Sequence, residues 1–141
     1  MRKEIRDDIE NMLKGNSTLA GIIKDWGIED KPAKYPALMV FPPARKNKLM
    51  QAFPNIYRCS YSGVIRVIIE AYNNRLDGIS TADEIDSQVE EEFKNNPTLG
   101  GKYYSISYDG SQIIYGEYGT DYWGEGLVVL DINYTVQALI V

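Results

Sequence analysis

Apolar side chains recur along this chain with two different periods, and the switches between them mark out its elements. Near the start, Ile5, Ile9, Met12 and Leu13 fall at helical intervals, while Arg2, Lys3, Arg6, Asp7, Asp8 and Glu10 take the other positions. That spacing predicts an amphipathic helix with one face on the core, and Gly15 is placed to stop it. A short second helical turn is predicted from Ser17, with Leu19, Ile22 and Ile23 apolar and Gly21 and Gly27 as interruptions. The run Ala37-Leu38-Met39-Val40-Phe41, bounded by Pro36 and Pro42-Pro43, has the length of a buried strand.

Residues 44 to 56 hold Arg45, Lys46, Asn47, Lys48, Gln51 and Pro54 with only scattered apolar side chains, a pattern that predicts a long basic loop. The period then changes to two. Cys59, Tyr61, Ile65, Val67, Ile69 and Ala71 share one side, and Arg58, Ser60, Ser62, Arg66 and Glu70 the other, which predicts a long strand with one face on the core. Asn73 to Gly78 punctuates the chain, and Ser80 with Asp83 has the form of a capping box opening a helix. In that helix Ala82, Ile85, Val89 and Phe93 form one apolar stripe, with Asp83, Glu84, Asp86, Glu90, Glu91 and Glu92 around it, and Asn95-Asn96-Pro97 closes it.

The last third is rich in aromatic and β-branched residues and turn signals, as antiparallel sheet requires. Tyr108-Asp109-Gly110-Ser111 suits a type I′ hairpin turn. The final strand places Val128, Leu130, Ile132, Tyr134, Val136 and Ala138 on one face, against Asp131, Asn133, Thr135 and Gln137. The expected order is helix, strand, strand, helix, three strands. It amounts to one α+β domain over residues 1–141, a mainly antiparallel sheet with two helices packed on its apolar face and a long basic loop.

Composition narrows the chemistry. With 141 residues, 44% of them hydrophobic and 25% charged, the chain fits one globular domain. It contains no His, which excludes Ser-His-Asp, Cys-His and His-metal chemistry. Its one cysteine, Cys59, falls on the apolar face of its strand, where an inert buried thiol is expected. The N-terminal residues lack the apolar stretch of a signal peptide and no run is long enough to span a bilayer, so neither export by that route nor membrane insertion is expected. Asn16 and Asn133 match N-x-[ST] by chance. Gly124-Glu125-Gly126 lacks the third glycine of a dinucleotide loop, Val129 standing in its place, and the acidic helix residues read as a solvated face. No catalytic, cofactor or metal site is expected, and no enzyme.

Charge is segregated more sharply than the net of −5 suggests. Lys plus Arg against Asp plus Glu runs 5 to 7 over residues 1–30, 6 to 0 over 31–58 and 4 to 13 over 59–141. A basic middle between acidic flanks can attract copies of the same chain, and protein partners fit an acidic chain better than sequence-specific nucleic acid. The stretch Tyr115 to Trp123 mixes glycines with Tyr118, Tyr122 and Trp123, a composition suited either to protein contact or sugar stacking, or to rings folding back on the sheet.

Several segments together carry a resemblance: the N-terminal helix, Tyr35-Pro36-Ala37-Leu38 opening the first strand, and Val64-Ile65-Arg66-Val67-Ile68-Ile69-Glu70-Ala71-Tyr72 leading through a turn into the Ala82 to Phe93 helix, then the closing Gly126 to Val136 strand. In the order and size of these segments the chain resembles the tail-terminator, or tail-completion, proteins of long-tailed bacteriophages, over most of its length and without a diagnostic motif. The resemblance implies an α+β subunit that assembles into a ring, usually a hexamer, halts tail-tube polymerisation and joins the tail to the head connector. It implies as partners further copies of the chain, a tail-tube protein and a head-connector protein, and a place in the virion tail or neck after assembly in the bacterial cytoplasm. Charge and aromatic content, not the resemblance, assign the contacts: Arg45, Lys46 and Lys48 facing a neighbour or the tube, Glu90, Glu91 and Glu92 on an acidic face, and Tyr118, Tyr122 and Trp123 as a further surface. The alternatives are another head-tail adaptor or tail-tube subunit, and a carbohydrate-binding module using Tyr115, Tyr118, Tyr122 and Trp123.

Overall fold

The computed structural model describes residues 1–27, 34–71, 75–115 and 126–140, with backbone only at 47–53, 75, 115 and 140. The elements in chain order are α1 (Arg2–Lys14), α2 (Ser17–Ile22), β1 (Asp25–Trp26), β2 (Ala37–Val40), β3 (Ala44–Phe53), β4 (Ile56–Glu70), α3 (Arg75–Asn95), β5 (Ser105–Tyr115) and β6 (Leu127–Ile140). The fold is α+β; among the described residues six strands form one sheet, five in the order β1-β2-β4-β6-β5 and β3 pairing β4 off that path. Every strand pairing is antiparallel except the short β1–β2.

The helices share one face of this sheet because their apolar stripes meet the odd-numbered side of β4 and the even-numbered side of β6. Ile5, Ile9 and Leu13 of α1, Leu19 of α2 and Ala82, Ile85, Val89 and Phe93 of α3 are buried with Cys59, Tyr61, Ile65, Val67, Ile69 and the Val128 to Ala138 series. The apolar alternation therefore assigns the core side chain by chain, and Cys59 is buried as expected. Asn16 caps α2, its side chain accepting from the Leu19 amide at 2.9 Å. The short helical turn expected from Ser17 forms as α2, so that among the described residues three helices lie beside the sheet.

Residues 44–53 are not a loop. They form β3, which pairs antiparallel with β4 through a tight turn at Pro54-Asn55, where Phe53 faces Ile56. Proline presets the first turn position, and Asn55 takes the left-handed conformation (φ 65°) that the second demands. Arg45 and Lys46 are exposed on its two faces, so its start shows no apolar alternation, and its backbone pairs with β4. Together β2 and β3 run end to end along one side of β4, β2 against Ile65 to Ile68 and β3 against Ile56 to Ser62. The break between them is Phe41-Pro42-Pro43, where proline has no N–H to give the ladder.

Two further expectations are corrected. Helix α3 starts at Arg75, so Ser80 and Asp83 lie inside it and cap nothing, and Gly78 is a buried helical residue. A Cβ at Gly78 would lie 2.6 Å from the Ala71 Cβ and 3.1 Å from Val128 Cγ2, so glycine here allows helix and sheet to approach closely. The Asp109-Gly110 pair is a bulge within one continuous strand β5, with Gly110 at φ 115° and a register shift between Tyr108 and Gly110. Two long strands, not three, follow α3 among the described residues.

Candidate assembly surface

The sheet has two lateral edges carrying opposite charge. At one, β3 pairs among the described residues with β4 alone, and at the other β5 pairs with β6 alone. Arg45 lies opposite Tyr61 on the helix side of β3, and Lys46 opposite Ser60 on the outer side, both exposed. Burial and the Cys59 neighbour raise the Tyr61 pKa, and the positive field of Arg45 and Arg2 opposes that rise. Lys48 sits in the same strand.

Beside β5 the charge is negative. Asp86 of α3 accepts from Tyr108 Oη at 2.7 Å and from Ser111 Oγ at 2.8 Å, tying the helix to the strand. Burial, then Asp86 and Glu90, push the Tyr108 pKa up to about 12, with Ser111 opposing. Asp83 and Glu90, three and four residues from Asp86 in the helix, are exposed on the same flank. On the other side of the strand Asp109 accepts from Ser107 Oγ at 3.1 Å and from the Thr135 hydroxyl.

Of the expected contact residues, the structure thus puts Arg45 and Lys46 on one edge and Glu90 beside the other. Glu91 is exposed on α3. Glu92 is half-buried and works inside the subunit, accepting from Asn16 Nδ2 at 2.9 Å and Asn96 Nδ2 at 3.1 Å. Tyr118, Tyr122 and Trp123 lie outside the described residues. Sequence reasoning missed Asp109, which it placed in a turn, and missed that the basic segment is a sheet edge. Pro54-Asn55 was the available signal for the second.

The outer face of the sheet is closed locally by polar pairs. Arg66 and Asp131 are cross-strand partners joined by two hydrogen bonds of 2.7 and 2.9 Å, and the Arg66 guanidinium lies 5.7 Å from the Phe41 ring centre. The hydrogen bond to Asp131 raises the Arg66 pKa above its ordinary value against the opposing cost of burial. An open groove of about 400 Å³ runs between α1 and Phe41, lined by Lys3, Arg6, Asp7, Met39, Val40, Phe41 and Pro42. Its Arg6 is engaged by Asp7 and Glu10 and donates to the Val40 carbonyl at 3.1 Å. Among the described residues no group of three potential metal-ligating side chains forms, and no helix is long and apolar enough to cross a membrane.

No protein-family model matches the chain, and no curated protein is similar to it in sequence. One solved structure that is similar to it is a chain described as "Virion of native gene transfer agent (GTA) particle", with a TM-score of 0.66 over 94% of this chain and 92% of that one. The two chains share a fold. At 12% identity the likeness lies in the path of the backbone and not in side-chain chemistry.

Proposed function

We propose that this chain is a structural subunit of a phage or phage-like particle, forming a ring that ends the tail tube and joins it to the head connector. The observation that carries the reading is the fold held in common, over nearly the full length of both, with a chain from a gene transfer agent virion. The two oppositely charged edges support it, because a subunit with unlike complementary sides joins head to tail and closes into a ring when the rotation permits. Such a subunit works by contact and converts no substrate. Its partners are further copies of itself, a tail-tube protein and a head-connector protein.

Immunogold labelling of particles produced by cells that carry the gene tests the location. The reading expects gold at one point between head and tail. Labelling along the whole tail would make the chain a tube subunit, and particles free of label would overturn a virion role.

A further inference from the structure

The ring reading leaves open which surfaces meet, and the inference drawn here rests on that reading and supplies them. Among the described residues β3 and β5 each present an outward row of backbone N–H and C=O groups, the template on which a sheet grows from one chain into the next. Because β3 is antiparallel to β4, β4 to β6 and β6 to β5, β3 and β5 run in opposite directions. A rotation about an axis along the strands keeps those directions, so β3 of one copy comes antiparallel to β5 of the next.

The flanking charges match on both sides of such a joint. On the helix side, Arg45 would face Asp83, Asp86 and Glu90; on the outer side, Lys46 would face Asp109. Pairing like edges fails on the same count: two β3 edges bring Arg45 and Lys46 against their own copies, and two β5 edges bring carboxylates together. We infer that β3 of one copy pairs with β5 of a second copy, head to tail, with Arg45 against the α3 carboxylates and Lys46 against Asp109. Bulges in both strands interrupt the straight ladder, which leaves the charges to fix the register.

The test uses two variants, Arg45→Glu, and Asp83→Lys with Glu90→Lys. All three positions are exposed, and Asp83 and Glu90 have no hydrogen bond or ion pair among the described residues. Each variant alone places like charges on the helix side of every joint, so sedimentation should show its self-association weakened at least about tenfold. An equimolar mixture restores opposite charges at every joint and should reassemble in alternation. If either variant assembles alone as well as the unaltered chain does, or if two folded variants stay apart when mixed, this joint is wrong while the ring stands. An unaltered chain that remains a single subunit at every concentration overturns the joint and the ring together.

Discussion

Gly63 shows how one missing atom can decide a fold's interior. It lies directly across the sheet from Tyr134, whose fully buried ring covers it and whose hydroxyl donates to the Phe41 carbonyl at 2.8 Å. A Cβ on residue 63 would sit 2.5 Å from that hydroxyl and 2.6 Å from the ring. Gly63→Ala should therefore lower stability by about 1–3 kcal/mol in a denaturant titration, because the ring is packed and hydrogen-bonded and has nowhere to go. Tyr108 offers a second check at this scale. Its pKa stands at about 12 in the fold against an ordinary 10.0, so the folded chain holds a proton that the unfolded chain releases first. The stability this gives is complete below pH 10 and is lost as pH rises through about 12. Urea titrations of the unaltered chain and Tyr108→Phe should differ at pH 8 and converge towards pH 12; a constant difference would show that burial and Asp86 together do not raise the pKa of the phenol.

At the scale of the element, legibility followed burial. Where a helix or strand lies on the core, its apolar period is imposed by the neighbours, and Ile5 to Leu13, Cys59 to Ile69, Ala82 to Phe93 and Val128 to Ala138 could be read directly. The errors fall where backbone pairing or close approach decides instead. β3 is stabilised by its ladder with β4 and leaves no apolar trace; Asp109-Gly110 has turn chemistry that a bulge uses equally well; and Gly78 in α3 answers to the proximity of Ala71 and Val128. The helix gives a sharp contrast between two substitutions. Gly78→Ala should destabilise by about 1–3 kcal/mol in spite of alanine's helix propensity, since overpacking outweighs a gain of about 1 kcal/mol. Ser80→Ala should be neutral or slightly stabilising by thermal melting, because an exposed serine inside the helix is not a cap. A loss of about 1 kcal/mol there would restore the capping box.

Across the whole molecule, the charge segregation visible in the sequence acquires a geometry. The basic middle supplies Arg45 and Lys46 on one edge of the sheet, and the acidic remainder supplies Asp83, Asp86, Glu90 and Asp109 around the other. Composition alone could state that opposite signs existed; only the strand order separates them onto opposite sides of one subunit. Glu92 shows the limit of reading by charge, since its carboxylate is taken by Asn16 and Asn96 within the chain. In the proposed ring these two edges are the surfaces that meet. Light scattering on the purified chain across a salt series tests this most directly. The account predicts a native mass several times 16.0 kDa at low salt that falls as ions screen the exposed charges. A mass of one subunit at every salt and protein concentration would contradict it.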